Sequence, residues 1–234
     1  MCLHPVTATE GCVGAFRWAW HVEVQGGSHR GGDRLFARVD ESQATFLLAD
    51  VSGNGPTAAD AADALALFLA NLQPAPLDPA ALLRTLHTRL CQHWAASVDD
   101  YWFVDALAVR LTLSTGTIEA ASGGAPNVWV REMAGWARWE IPSGGYIGGP
   151  DENAVFVVAA RPLDPGGMLF AATDGVTDAR DPDGAFGVIG VSAALASAGG
   201  AEPRNVVGAV FDAVRTFAKS SWPSSDATGL IFGW

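Results

Sequence analysis

Gly31-Gly32-Asp33, the apolar run Leu35 to Val39, the polar turn Asp40-Glu41-Ser42-Gln43, a second apolar run Ala44 to Ala49, then Asp50-Val51-Ser52-Gly53-Asn54-Gly55: the fold is read from this stretch. Two short apolar runs around a polar turn predict a β-hairpin. Antiparallel pairing carries Asp33 and Asp50 to the same end of the sheet. Pro56 then opens an Ala/Leu-rich run and suits the first turn of a helix. The stretch thus supplies two neighbouring carboxylates and a glycine loop whose carbonyls can approach a ligand. Hard cations such as Mg²⁺ and Mn²⁺ take oxygen donors of this kind. Aspartate beside glycine at a strand end is equally the residue of an ordinary turn.

Upstream, Phe16, Trp18, Trp20, Val22 and Val24 alternate with more polar residues, which predicts a strand with one buried face. Downstream, small residues (Ala58, Ala59, Ala61, Ala62) let the first helix approach a sheet closely, with Asp60 and Asp63 expected in its first turns. A second helix is marked by Asp78 as N-cap, Pro79 at the first position, and Leu82, Leu83, Leu86, Leu90 and Trp94 at helical spacing. His21, His87 and His93 have no ligand partners at metal spacing and read as surface or helix-end residues.

Two hairpins are predicted next, Phe103 to Leu113 with Thr117 to Ala121, and Asn127 to Arg131 with Trp136 to Ile141. A glycine-rich loop, Pro142 to Asn153, reads as a flap or a plain connector. Apolar strands are expected at Ala154 to Ala160 and Met168 to Thr173, the latter running into Thr173-Asp174-Gly175. Asp181-Pro182-Asp183-Gly184 is a turn, and Val206, Val207, Val210, Phe211, Val214 and Phe217 mark a helix. Ser225-Asp226-Ala227-Thr228 leads into a final strand, Gly229 to Trp234.

With 234 residues, 49% of them hydrophobic, the chain can bury one sizeable core, and a single domain over residues 1–234 is expected. Its net charge of -11 lacks the basic footprint of a nucleic-acid binder. Three cysteines (Cys2, Cys12, Cys91) at unrelated spacings make neither a disulfide framework nor a zinc pattern. No secretory signal is visible at the start, and the longest apolar stretch is too short to span a bilayer. These features predict a cytoplasmic protein with no membrane partner.

Four aspartates, Asp33, Asp50, Asp174 and Asp226, recur at the edges of predicted strands. Taken with their order, the motifs resemble the metal-dependent protein phosphatases (the PPM family, protein phosphatase type 2C), in the bacterial branch of the sporulation stage II protein E phosphatases. Besides Gly31-Gly32-Asp33 and Asp50 to Gly55, the resemblance rests on Thr173-Asp174-Gly175-Val176-Thr177-Asp178-Ala179-Arg180 and the C-terminal acid-x-Thr strand. Ala120-Ala121-Ser122-Gly123-Gly124-Ala125-Pro126 is similar to the Ala-Gly-His-Pro-like stretch of that branch, with Gly124 where histidine is common.

The resemblance implies an α+β fold, a four-layer α-β-β-α sandwich of two antiparallel sheets flanked by helices. It further implies that Asp50 bridges two Mn²⁺ or Mg²⁺ ions, that the Val51 carbonyl binds one, that Asp174 binds the other, and that Asp33 holds metal-bound water. A metal-bridging hydroxide would then attack a phosphoserine or phosphothreonine in line, without a phosphoenzyme. The implied substrate is a phosphorylated anti-sigma factor antagonist, with control by a regulatory partner or a homodimer. The helix from Pro56 is the implied regulatory element.

The chain departs from the pattern at the C-terminal motif, usually Asp-Asp-x-Thr with the first aspartate as ligand. Here Ser225 holds that position and Asp226 the second. Asp226 then reaches the metal by a small shift, or the second site is weak. The alternative to an active enzyme is a pseudophosphatase, which binds a phosphoprotein without turning it over.

Overall fold

The computed structural model describes residues 3–5, 8–27, 31–53, 55–72, 78–95, 102–124, 126–151, 153–200, 202–219 and 222–233. Asn54, Ala125, the end of the Gln25–Arg30 loop, the Trp94 side chain and Cys2 lie outside this description. In chain order the strands are β1 (His4–Pro5), β2 (Glu10–Val13), β3 (Phe16–Glu23), β4 (Arg34–Val39), β5 (Gln43–Val51), β6 (Val104–Thr112), β7 (Thr117–Gly123), β8 (Asn127–Glu132), β9 (Gly135–Arg138), β10 (Ala159–Pro162), β11 (Met168–Ala172), β12 (Arg180–Asp181), β13 (Gly184–Ala185) and β14 (Ala227–Gly233). The helices are α1 (Gly55–Ala70), α2 (Pro79–Ala95), α3 (Asp174–Thr177), α4 (Gly187–Ala198) and α5 (Pro203–Ala218).

The chain forms two compact units, one of Met1–Val6, Gly32–Pro126 and Ile141–Pro162, the other of Thr7–Gly31, Asn127–Glu140 and Leu163–Trp234. Each is built on a six-stranded antiparallel sheet, in the order β1-β4-β5-β6-β7-β10 in the first and β2-β3-β14-β11-β8-β9 in the second. The α+β class and the two antiparallel sheets with their helices are those expected.

In the first unit the predicted hairpin is β4 and β5, in register from Arg34↔Ala49 to Val39↔Ala44. On one face of this sheet Phe36, Leu47, Ala49, Val51, Ala106 and Ala108 pack with Ala62, Leu65 and Leu69 of α1 and Leu82, Leu83, Leu86 and Leu90 of α2. Residues of the other face (Leu35, Phe46, Leu48, Leu107, Val109) are buried as well. A strand buried on both faces needs a continuous apolar run, which is what Phe46 to Ala49 supplies. Burial of each large apolar side chain contributes about 1.5–3 kcal/mol.

The hairpin turn is held by one carboxylate. Asp40 Oδ1 accepts from Ser42 Oγ at 2.6 Å and from the Ser42 and Gln43 backbone N–H groups at 2.9 and 3.0 Å. The Ser42 hydroxyl first, then these amides, hold the Asp40 carboxyl below the usual carboxylate range despite some burial. A lowered folded-state pKa stabilises above the unfolded pKa, and this is lost as pH falls through the folded value. Asp40→Ala is therefore expected to lose about 1 kcal/mol near neutral pH in urea unfolding, the difference shrinking in acid. A difference that grows in acid would contradict the capping role.

In the second unit α5 presents Val206, Val207, Val210, Phe211, Val214 and Ala218 to the core, joined by Trp129, Phe170 and Ile231 from the sheet. The helix was legible from its 3.6-residue repeat. By contrast α4, Gly-Val-Ile-Gly-Val-Ser-Ala-Ala-Leu-Ala-Ser-Ala, carries no charge to contrast with its apolar side and was not foreseen. It buries only Val191, Ala194 and Leu195 and leaves Ile189 exposed.

Several local expectations are corrected. Asp60 and Asp63 lie beyond the first turn of α1, which contains no acid. The segment 154–158 is extended but outside the ladder, with Phe156 buried and Val155 and Val157 exposed, so the first part of the apolar run is a strap and the strand begins only at Ala159. His87 is buried, and its Nδ1 accepts the Gly148 N–H at 3.1 Å. That bond, with the Val104↔Ile147 and Ser122↔Ser143 bridges, pins the Pro142 to Asn153 loop against the first sheet. His21 is half-buried, its ring 4.4 Å from that of Phe211 and its Nε2 2.9 Å from Glu23 Oε1. Burial opposes the Glu23 charge, yet the His21 and Arg215 contacts hold its carboxyl below the usual range.

Candidate metal centre

Asp33 immediately precedes β4 and Asp50 is the penultimate residue of β5. Continuing the Arg34↔Ala49 register by one step sets Asp33 opposite Asp50, at the sheet end the sequence predicted. Asp33 is 5% exposed. Neighbouring residues on a strand point to opposite faces, so Asp50 shares a face with Leu48, away from the α1 and α2 side where Ala49 and Val51 pack. Val51 is buried, and Ser52 beyond it donates its N–H to the Phe103 carbonyl at 2.9 Å.

A third carboxylate was missed. Asp105 lies within β6 and is the register partner of Asp50. Directly opposed residues share a face, and like charges so placed repel unless a cation or hydrogen bonds offset them. The sequence did carry the signal, since Asp105 is the one acid in the apolar run Phe103 to Leu113. Lying inside a strand and not at its end, it carries no glycine or turn signal beside it.

In the second unit Asp174 opens α3 one residue after β11, with Thr173 between them, and Asp226 directly precedes β14. These strands pair antiparallel up to Ala172↔Gly229. The pairing runs one residue further: Thr173 N–H donates to the Thr228 carbonyl at 3.0 Å, and Thr228 N–H to Thr173 Oγ1 at 2.9 Å. This brings Asp174 and Asp226 to one end of the second sheet. Gly175 is buried against the Asp226 backbone, and its carbonyl accepts from Trp222 Nε1 at 3.0 Å.

Asp226 is 8% exposed, and its Oδ1 accepts the Gln25 N–H at 2.9 Å. Its carboxylate also occupies the room a side chain at position 31 would need, since a Cβ on Gly31 would lie 2.6 Å from Asp226 Cγ. That is why glycine stands at the start of the motif. Ser225 is half-buried.

The donors are all oxygens, which suits Mg²⁺ or Mn²⁺ and not a soft metal. Among the described residues no three His, Cys, Asp or Glu side chains form a metal cage. Mg²⁺ is ordinarily bound by one or two carboxylates while keeping several waters, and paired acids at a sheet end fit that requirement. A cavity of about 470 Å³ beside Arg131, Trp136, Asp164 and Gly199 is lined by none of these four aspartates.

This architecture is that of the PP2C phosphatase domain. The chain resembles the SiaA-PP2C domain of Pseudomonas aeruginosa with a TM-score of 0.78 and 17% identity, over 93% of this chain and 85% of that one. It is also similar to the PP2C phosphatase domain and regulatory fragment of SpoIIE from Bacillus subtilis, with a TM-score of 0.74 and 14% identity, over 94% of this chain and 63% of that one. RsbX in complex with magnesium gives a TM-score of 0.66 and 15% identity, over 98% of both chains. Among curated proteins none matches. The family model for stage II sporulation protein E (SpoIIE) matches residues 40–234, and the chain belongs to that family.

Proposed function

We propose that the protein, as one phosphatase domain, is a Mn²⁺- or Mg²⁺-dependent protein serine/threonine phosphatase. The observation that carries this reading is the placement of Asp33 and Asp50 side by side where two paired strands end. Asp33, Asp50 and the Val51 carbonyl are the donors of the first unit, and Asp174 and Asp226 those of the second. Bound dications supply an activated water and neutralise the charge on a phosphoryl group. The chain's own part is to fix these carboxylates at strand ends and so to place them with little rearrangement. Membership of the SpoIIE family supports a phosphorylated anti-sigma factor antagonist as substrate, and a partner protein or second copy as the source of control.

Ser225 favours one second reading, a pseudophosphatase that binds a phosphoprotein without hydrolysis, because a hydroxyl is a weaker donor than a carboxylate for a hard cation. Phosphate release separates the two readings, and two substitutions decide which residue of the C-terminal motif is the ligand. Asparagine at 226 keeps an oxygen for the Gln25 N–H and removes only charge, so the fold survives. Asp226→Asn is expected to weaken Mn²⁺ more than about tenfold in a titration of activity, with Ser225→Asp neutral. The inverted result, a harmless Asp226→Asn and a tightened site in Ser225→Asp, would assign the ligand position to residue 225.

A further inference from the structure

The C-terminal motif ends in Thr228, to which the reading above gives no task. Its side chain is fully buried, at 0% exposure, and its Oγ1 has no hydrogen-bond partner among the described residues. The backbone of Thr228 is satisfied through Thr173, so the hydroxyl alone is left over. A buried hydroxyl without a partner destabilises, and valine would fill the same volume in a strand without that penalty. Such a group calls for a ligand, a water or an ion as its explanation.

Its place in the fold indicates which. Thr228 lies two residues after Asp226 on β14 and so shares its face of the sheet. It is opposite Thr173, the residue before Asp174. The same face continues through Leu230 and Phe232, while Ala227 and Ile231 pack on the α5 side. A hydroxyl can donate to a carboxylate or accept from a coordinated water. No other polar side chain on β14 is available for that work, since the rest of the strand is Ala, Gly, Leu, Ile and Phe.

We infer that the Thr228 hydroxyl is a positioning group for the cation at the Asp174–Asp226 edge, kept at the expense of fold stability. This rests on the metal-dependent reading above.

The test compares wild type, Thr228→Val and Thr228→Ser by Mn²⁺ calorimetry and by thermal unfolding in chelator. Thr228→Val is expected to raise the metal-free Tm by about 2–4 °C, because the orphaned hydroxyl is gone. The same variant is expected to bind Mn²⁺ about tenfold more weakly, and Thr228→Ser to restore the affinity. Unchanged Mn²⁺ affinity in Thr228→Val, beside normal uptake by wild type, overturns this inference alone. A fall in the metal-free Tm overturns it too, since the hydroxyl would then be bonded within the protein. Absence of Mn²⁺ uptake by wild type overturns the functional reading, and this inference with it.

Discussion

Asp50→Asn is expected to lower phosphate release from a phosphoserine protein by more than about a hundredfold, with thermal stability preserved. Asparagine matches aspartate in volume, so the register of β5 between β4 and β6 is undisturbed. What is lost is the charge at the point where Asp33, Asp50 and Asp105 stand on three neighbouring strands. Removing a group that merely orients a ligand ordinarily costs about 10–100-fold, and loss of a direct donor costs more. Near-normal turnover in this variant would remove Asp50 from the site.

Gly175→Ala is the largest expected effect on stability. A methyl at this position would overlap the Asp226 carbonyl oxygen, 2.7 Å from its carbon and 3.0 Å from Ala227 Cα. These are backbone atoms of the final strand and its entry, so no side chain can swing aside. Relief requires α3 to move from β14, and with it Asp174 from Asp226. Overpacking of this kind costs on the order of 3 kcal/mol, or a fall of roughly 6–12 °C in Tm. Calorimetry of the purified variant measures it directly. A shift within about 2 °C would mean that the α3 start is looser than its packing against Asp226 implies.

The hairpin around Asp40 was legible because three signals coincide there: two apolar runs of strand length, a turn rich in hydrogen-bonding side chains, and glycines at both outer ends. The helices α2 and α5 were legible for a related reason, since each pairs a start signal at proline with an apolar repeat. Where one signal is missing the reading fails. The helix α4 has no polar face to set its period, and residues 154–158 are apolar but pair with no strand among the described residues. His87 was misplaced because spacing along a helix says nothing about a loop that folds back onto it, here through Gly148.

The candidate site divides the same way. Asp33, Asp50, Asp174 and Asp226 stand beside glycine or in a recognisable motif, which made each visible. Asp105 sits within a strand, and its position opposite Asp50 depends on pairing between segments more than fifty residues apart. Thr228 was visible as a motif letter, but only burial without a partner gives it a task. Gly31 and Gly175 were visible only as members of aspartate motifs, whereas their structural reason is the close approach of Asp226.

The most direct test of the phosphatase reading is phosphate release from a phosphoserine protein by the purified chain, with Mn²⁺ and with Mn²⁺ plus excess chelator. Release that requires Mn²⁺ and stops with chelator is the predicted result. Mn²⁺ and phosphoprotein binding without phosphate release, or release undiminished by chelator, would contradict it.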